Sequence, residues 1–171
     1  MLIKVLGSIL IIGAAALFGI AQRSRFAHKE EILSDLVSSL EIMHSEISSV
    51  CASTNEMLDR ICNVTCGEVF NFFNTCRVLH QKHAELPFEL IWTRAVKENS
   101  FELSAQEIQT LLELGNSIGR YGSDETVRAI ELAKRRLEGY LKSATAARGK
   151  LGKLYGNLSI ISGIALVIIL I

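Results

Sequence analysis

Residues 29–50, KEEILSDLVSSLEIMHSEISSV, hold the pattern that decides the fold of this chain. Apolar side chains recur there at alternating steps of three and four residues: Leu33, Leu36, Leu40, Met43, Ile47 and Val50. This spacing places them along one face of an α-helix, in the heptad arrangement of helices that pack together. The stretch predicts a long helix that needs a second, facing helix to bury its apolar seam.

A matching pattern lies in the last third of the chain. Its members also step by three and four residues: Ile130, Ala133, Leu137, Tyr140, Ala144, Ala147, Leu151 and Leu154. Helices with matching apolar seams pack side by side in bundles. The two segments continue into apolar runs at opposite ends of the chain, so helices that leave the same membrane face there run in opposite directions. We therefore expect the first and last helices to pair as an antiparallel stalk.

Both stalk segments continue into long apolar runs. Residues 2–21 form a run of 20 whose single charge is Lys4, and residues 154–171 form an uncharged run of 18. An α-helix of that shorter length spans roughly 27 Å, close to the ~30 Å hydrocarbon thickness of a bilayer. We predict transmembrane helices at residues 2–21 and 154–171, on either side of a helical domain at residues 22–153.

A cleaved secretory signal peptide is the alternative for the first run, because small residues near Ala14 and Ala21 resemble a cleavage site. The flanking charges favour a retained membrane helix. Lys4 is the one basic residue near the start of the run, whereas Arg23 and Arg25 follow its end. Because basic residues favour the cytoplasmic side, the segment after the run is expected in the cytoplasm. We expect a cell-membrane protein with its helical domain in the cytoplasm and both termini outside.

Charge is unevenly distributed along the chain. The chain has 18 acidic and 18 basic residues, but residues 30–141 hold all 18 acidic residues and only 10 basic ones, which gives that segment a formal charge of −8. The other basic residues lie beside the apolar runs, where they would face anionic membrane lipids. An acidic domain repels nucleic acid and attracts basic protein partners, so we expect the latter and no nucleic acid.

Capping signals divide the segment between the stalk helices. A capping box pairs a hydroxyl with a carboxylate three residues later, so that both satisfy free amides at a helix start. The sequence predicts one at Ser53–Glu56, one at Thr65–Glu68 and one at Ser104–Glu107.

Proline and glycine mark the remaining boundaries. Pro87 suits the first turn of a further helix, and residues 119–122, GRYG, are expected to end the helix that begins near Ser104. Ser123 is expected to cap the last helix, with Asp124 and Glu125 complementing its dipole. The predicted fold is all-α, a six-helix antiparallel bundle whose first and last helices continue into the transmembrane helices.

The sequence holds no recognisable catalytic motif. It contains no G-x-S-x-G, no H-E-x-x-H and no complete phosphate-binding loop. We therefore predict that the chain is not an enzyme and uses no cofactor.

Cysteines form the one pattern that suggests a metal. Cys62, Cys66, Cys76 and His80 have the spacing C-x3-C-x9-C-x3-H, which resembles a ligand set. Cys62 and Cys66, however, lie on either side of a predicted helix start, and cysteine is also a common small core residue. We expect no metal, and a metal- or thiol-dependent sensor is the less favoured alternative.

Small residues recur along one face of the second apolar run. They are Gly152, Gly156, Ser159 and Gly163. Such a face lets membrane helices approach closely, which favours packing between the two spans or between protomers of a homo-oligomer. The alternative is that glycine is simply frequent in membrane helices.

Several short strings resemble the stage III sporulation protein AB family of endospore-forming bacteria. They are Ser39-Leu40-Glu41, Ser45-Glu46-Ile47, Glu56-Met57-Leu58 and Leu111–Gly119 (LLELGNSIG) followed by Asp124. The last is similar to the family pattern L-x-x-L-G-x-x-L-G-x-x-D, with Asp124 two residues later than in that pattern. Ser53 stands where the family usually has proline, and the cysteines are not family features.

The resemblance implies a function as well as a fold. The family domain is similar to the six-helix cytoplasmic domain of the inner-membrane platform protein of type II secretion. It implies a membrane component of the channel complex between the mother cell and the forespore, with other channel-complex proteins as neighbours. The implied partner is a secretion-type ATPase, stage III sporulation protein AA. A generic self-assembling membrane scaffold is the alternative.

We expect the ATPase to meet the acidic domain near the glycine-containing string. The residues predicted for this contact are Glu107, Glu113, Gly115, Gly119, Arg120, Asp124 and Glu125.

Overall fold

The computed structural model describes the backbone of residues 2–48, 53–99, 101–118 and 123–170, and the side chains of residues 14, 17, 21, 24–48, 53–99, 101–118 and 124–149. Within these ranges the chain forms six α-helices and no strand. They are α1 Leu2–Ser48, α2 Thr54–Val64, α3 Gly67–Lys82, α4 Phe88–Glu98, α5 Ala105–Ser117 and α6 Ser123–Leu170. The predicted all-α fold with six helices is confirmed.

The long helices α1 and α6 bury the predicted apolar seams. Leu33, Leu36, Leu40 and Met43 of α1 are fully buried, as are Ile130 and Leu137 of α6. Four seam residues are only partly buried, Ile47, Tyr140, Ala144 and Ala147, and three lie outside the described side chains, Val50, Leu151 and Leu154.

Ion pairs show that α1 and α6 run antiparallel. Glu41 lies 2.6 Å from Lys134 Nζ, and His44 lies 3.3 Å from Glu131. A later residue of α1 thus pairs with an earlier residue of α6. Hydrogen bonding to Glu41 raises the pKa of Lys134 despite some desolvation. The predicted antiparallel pairing is therefore confirmed along this part of the helices.

Aromatic residues fill the centre of the bundle formed by α3, α4 and α5. Phe72 and Trp92 are both fully buried and pack edge to face, with ring centroids 4.8 Å apart. Trp92 Nε1 donates a hydrogen bond of 2.8 Å to the Leu111 carbonyl oxygen, so the polar edge of the indole is satisfied inside the core. Edge-to-face aromatic pairs add about 0.5–1.5 kcal/mol beyond the area that they bury.

Two of the predicted capping boxes have their reciprocal bonds. The Ser53 amide donates to Glu56 Oε2 at 3.2 Å, and the Glu56 amide donates to Ser53 Oγ at 3.3 Å. At α5 the Ser104 amide donates to Glu107 Oε2 at 2.6 Å. The last helix begins at Ser123 itself, one residue before the start expected with Ser123 as its N-cap, and Asp124 and Glu125 lie in its first turn.

The capping box predicted at Thr65–Glu68 is wrong. The Thr65 hydroxyl donates to the Ile61 carbonyl at 2.9 Å and closes α2, while Glu68 accepts from the Glu102 amide at 3.2 Å. Helix α3 begins two residues later, at Gly67, whose φ of 56° lies in the left-handed region that favours glycine.

The start of α4 also differs from the prediction by one residue. Pro87 occupies the N-cap position, and α4 begins at Phe88. Residues 119–122, predicted to end α5, lie outside the described residues, and α5 itself ends at Ser117.

The contacts divide the chain into two units with opposite charge. Unit 1 comprises residues 1–30 and 142–171, and unit 2 comprises residues 31–141. Unit 1 has 8 basic residues and 1 acidic residue, a formal charge of +7, whereas unit 2 has 10 basic and 17 acidic residues, a formal charge of −7. The division by contacts therefore coincides with the division by charge.

Within unit 1, Glu30 links the interior of α1 to the interior of α6. Its carboxylate accepts from Arg148 at 2.9 Å and from the Thr145 hydroxyl at 3.1 Å. The Arg148 hydrogen bond is the main reason why the pKa of Glu30 is lowered, although partial desolvation opposes it.

The backbone of both predicted membrane segments is helical, but most of their side chains lie outside the described residues. Among the residues that are described, none forms a helix long and apolar enough to cross a membrane. The spans at residues 2–21 and 154–171 therefore stay predictions.

Candidate partner-binding surface

A groove lies between α5 and α6 in unit 2. Its narrower part has a volume of about 130 Å³, and its wider part, about 540 Å³, extends toward Tyr140. The narrower part is lined by Thr110, Glu113, Leu114 and Ser117 of α5 and by Ala129, Leu132, Ala133 and Arg136 of α6. We call this feature the α5–α6 groove.

The groove exists because α6 presents small side chains to α5. Ala129 and Ala133 are one helical turn apart and leave space that larger side chains would fill. Beside them Leu132 is 53% exposed, although it is a large apolar residue. The α6 wall is therefore apolar from Ala129 to Ala133.

An ion pair joins the two walls. Arg136 Nη1 lies 2.6 Å from Glu113 Oε2, and Gln109 Nε2 donates to the other carboxylate oxygen at 3.3 Å. The Arg136 hydrogen bond, followed by that from Gln109, lowers the pKa of Glu113. The carboxylate is thus held in its charged form, although an exposed pair of this kind adds little to stability.

Two of the residues predicted to bind a partner are instead part of the interior. Glu107 is only 4% exposed, and its carboxylate bonds to the Ser104 amide at the start of α5. A Cβ added at Gly115 would lie 2.3 Å from Trp92 Cδ1, so this glycine allows α5 to approach the buried indole. These placements correct the assignment of both residues to an exposed contact surface.

Asp124 and Glu125 are exposed in the first turn of α6. Glu125 lies one turn before Ala129, so it shares the helix face that lines the α5–α6 groove. Gly119 and Arg120 lie outside the described residues. Of the predicted residues, Glu113 lines the groove, Glu125 lies one helical turn before the groove residue Ala129, and Glu107 and Gly115 lie in the interior.

Nearly the whole chain matches one known protein family. Residues 4–171 match the family described as stage III sporulation protein AB. The chain belongs to this family. Membership implies a role in sporulation and confirms the family resemblance of the sequence.

A solved structure of a stage III sporulation protein AB has a similar fold. It is 18% identical, covers 72% of this chain and 98% of its own, and superposes with a TM-score of 0.66. At this identity the match supports the helical fold alone. None of the curated proteins matches the chain.

The cysteines do not assemble as the metal pattern would require. Cys62 and Cys76 are buried, and Cys66 is exposed. Burial is the main reason why the pKa of each buried thiol is raised, which keeps both in the unreactive protonated form. Among the described residues no group of three or more His, Cys, Asp and Glu side chains could hold a metal ion, and Cys51 lies outside them.

The small residues predicted to pack membrane helices lie within α6. Gly152, Gly156, Ser159 and Gly163 have helical backbone, but their surroundings lie outside the described side chains. Their role in helix packing stays a prediction.

Of the side chains that line the narrower part of the groove, only Glu113 was predicted as a site residue, and Arg136 and Leu132 are the most important of the others. Arg136 lies 23 positions after Glu113, and nothing in the local sequence pairs them. Leu132 directly precedes the seam residue Ala133 and is not itself a seam position. A leucine outside the seam was the one sequence signal that a large apolar side chain would be exposed there.

Proposed function

We propose that this chain is a non-enzymatic membrane component of the channel complex between the mother cell and the forespore. Its terminal helices would anchor it in the mother-cell membrane around the forespore, with unit 2 in the cytoplasm. There the acidic unit would dock a secretion-type ATPase, stage III sporulation protein AA, and transmit its movement or assembly to other membrane components of the channel.

Family membership over residues 4–171 is the observation that carries this proposal. The charge of unit 2 supports the mode of docking, because a formal charge of −7 attracts a basic partner surface and steers its approach. The exposed acids Glu113, Asp124 and Glu125 give that attraction a location.

A charge-reversal experiment tests the docking. In the full-length chain in nanodiscs, Glu113, Asp124 and Glu125 are changed together to Lys, and capture of the purified ATPase is measured at low salt. We expect binding to be lost, because the reversed charges repel a basic surface.

The matched control reverses three other exposed acids. Glu85, Glu98 and Glu102 changed to Lys alter the net charge by the same amount elsewhere on unit 2. Binding that survives in the control and is lost in the first variant supports the proposed location. Equal binding of the first variant and the unmodified chain would contradict it.

A further inference from the structure

The α5–α6 groove combines an apolar wall with acids at two levels. Ala129, Leu132 and Ala133 line the apolar part, and Glu113 lies across from Arg136 at one end. Glu125 is exposed one turn beyond Ala129, toward the start of α6. An occupant would therefore meet the Glu113–Arg136 ion pair, an apolar stretch and the negative charge of Glu125.

Helical spacing sets the length of this surface. From Glu125 to Arg136, the partner of Glu113, α6 rises about 16 Å, or roughly three turns. Glu125, Ala129, Leu132 and Arg136 follow one another at steps of four, three and four, so they form a single stripe. A helix of about three turns laid along the groove would match this stripe.

Leu132 is the anchor point of the surface. Large exposed apolar side chains are rare among the described residues, and they are Leu17, Val64, Leu90 and Leu132. Of these only Leu132 lines the groove, where the space beside Ala129 and Ala133 can accept another apolar side chain. Apolar anchors at helical spacing are the usual way in which a helix binds such a groove.

Charge decides which helix fits. Unit 2 carries a formal charge of −7, and the acids at the two levels of the groove are Glu113 and Glu125. Arg136 already contacts one oxygen of Glu113, but a carboxylate oxygen can accept more than one hydrogen bond. An acidic helix would be repelled by Glu125 and by the net charge of unit 2, whereas a basic one could pair with Glu125 and add a hydrogen bond to Glu113.

We infer that the α5–α6 groove binds an amphipathic helix of a partner protein, with apolar side chains against Ala129, Leu132 and Ala133 and basic side chains at Glu113 and Glu125. This inference rests on the proposed function, because it specifies where and how the docked partner is held. It adds the groove, the helical form of the bound segment and the positions of its basic residues.

The test uses the full-length chain in phosphatidylcholine nanodiscs and two probes. One is the purified ATPase. The other is a fluorescein-labelled peptide of four helical turns, with leucines at i, i+3, i+4 and i+7 and two lysines at each end, measured by fluorescence anisotropy against empty nanodiscs. A peptide with glutamates in place of the lysines is the charge control, and we expect it not to bind.

Two variants block the groove in different ways. Leu132→Glu replaces the apolar anchor by a charge, and Ala129→Leu fills the space without changing charge. We expect each to weaken binding of the lysine peptide and the ATPase by about tenfold or more, the size of a typical binding hot spot. Leu90→Glu places the same charge at another exposed leucine, on α4, and should change affinity less than about twofold. Far-UV circular dichroism confirms that each variant is folded.

The outcomes separate this inference from the proposed function. If the ATPase binds and the groove variants bind it as tightly as the unmodified chain, the groove inference is overturned and the docking proposal stands. If the ATPase does not bind but the lysine peptide binds and Leu132→Glu abolishes it, the groove inference stands and the ATPase proposal fails. If neither probe binds the unmodified chain, both fail.

Discussion

Gly115 permits α5 to approach the buried indole of Trp92. An added Cβ would lie 2.3 Å from Trp92 Cδ1, and the indole cannot retreat because it is fully buried and bonded to the Leu111 carbonyl. We predict that Gly115→Ala destabilises the protein by about 1–2 kcal/mol, since overpacking typically costs ~1–3 kcal/mol and alanine recovers up to ~1 kcal/mol of helix propensity. Urea unfolding followed by far-UV circular dichroism measures the change.

Gly139 provides the matched control. It also lies in a helix, α6, but a Cβ added there would meet nothing within 4 Å. Gly139→Ala should stabilise the protein by about 0.5–1 kcal/mol through helix propensity alone. Equal effects of the two substitutions would show that Gly115 is not needed for the approach to Trp92.

Glu30 predicts a pH dependence in unit 1. Its pKa is lowered on folding, chiefly by the hydrogen bond from Arg148, so the stabilisation by this pair is fully present above the ordinary glutamate pKa. It is lost as the pH falls through the lowered pKa. We expect carbon-13 NMR of the labelled chain to give a Glu30 midpoint below the ordinary glutamate range, and Arg148→Gln to raise it.

Arg135→Gln is the control for this titration, because Arg135 belongs to unit 2, where it lies 3.9 Å from Glu131. A Glu30 midpoint that is unchanged by Arg148→Gln would contradict the assignment of the pKa shift to that hydrogen bond.

The helix starts differ in whether a side chain of the N-cap residue hydrogen-bonds to the first turn. Ser53 begins α2 with reciprocal bonds to Glu56, whereas Cys66 occupies the N-cap of α3 with no side-chain bond. We predict that Ser53→Ala destabilises the protein by about 1 kcal/mol, because the Glu56 amide loses its partner. Cys66→Ala should change stability by less than about 0.5 kcal/mol, as exposed substitutions usually do.

Thermal or urea unfolding of both variants measures this difference. A loss of stability in Cys66→Ala as large as that in Ser53→Ala would mean that the cap bonds do not explain the result.

Sequence predicted the starts of α2 and α5, and that of α6 to within one residue, because each depends on residues only a few positions apart. The failure at Thr65 has a physical cause. A hydroxyl between two helices can end the first or begin the second, and the left-handed backbone at Gly67 decides in favour of the former. Whether Thr65 ends α2 or begins α3 depends on the backbone path between the two helices, and the spacing of Thr65 and Glu68 does not predict that path.

The candidate site was predictable only in part for the same reason. Glu113 and Glu125 are exposed acids, and composition alone pointed to them. Gly115 and Glu107 looked equally suitable in sequence, but their positions are set by Trp92 and by the Ser104 amide. The groove itself depends on the pairing of α5 with α6, which no short stretch of sequence specifies.

The separation of basic and acidic residues between the two units predicts how the protein is oriented in the membrane. Basic unit 1 and acidic unit 2 suit a chain whose helical domain stays on the cytoplasmic side. Cys66 is exposed in unit 2, while Cys62 and Cys76 are buried, so Cys66 can report the location of the domain.

We predict that a membrane-impermeant maleimide does not label Cys66 in intact protoplasts of cells producing a Cys51→Ser variant. Labelling should appear after permeabilisation, and a cysteine introduced by Lys4→Cys, on the opposite side of the predicted first span, should be labelled without it. Labelling of Cys66 in intact protoplasts would place unit 2 outside and contradict the orientation.

The enclosed indole gives the protein a built-in optical reporter. Trp92 is the sole tryptophan of the 171 residues, so all indole emission originates from one point between α3, α4 and α5. Its spectrum should be that of a chromophore shielded from water, and a red shift would signal loosening of that point while the long helices keep their circular dichroism. A movement of α5 caused by binding in the groove could then be followed through Trp92 fluorescence in real time, without a dye.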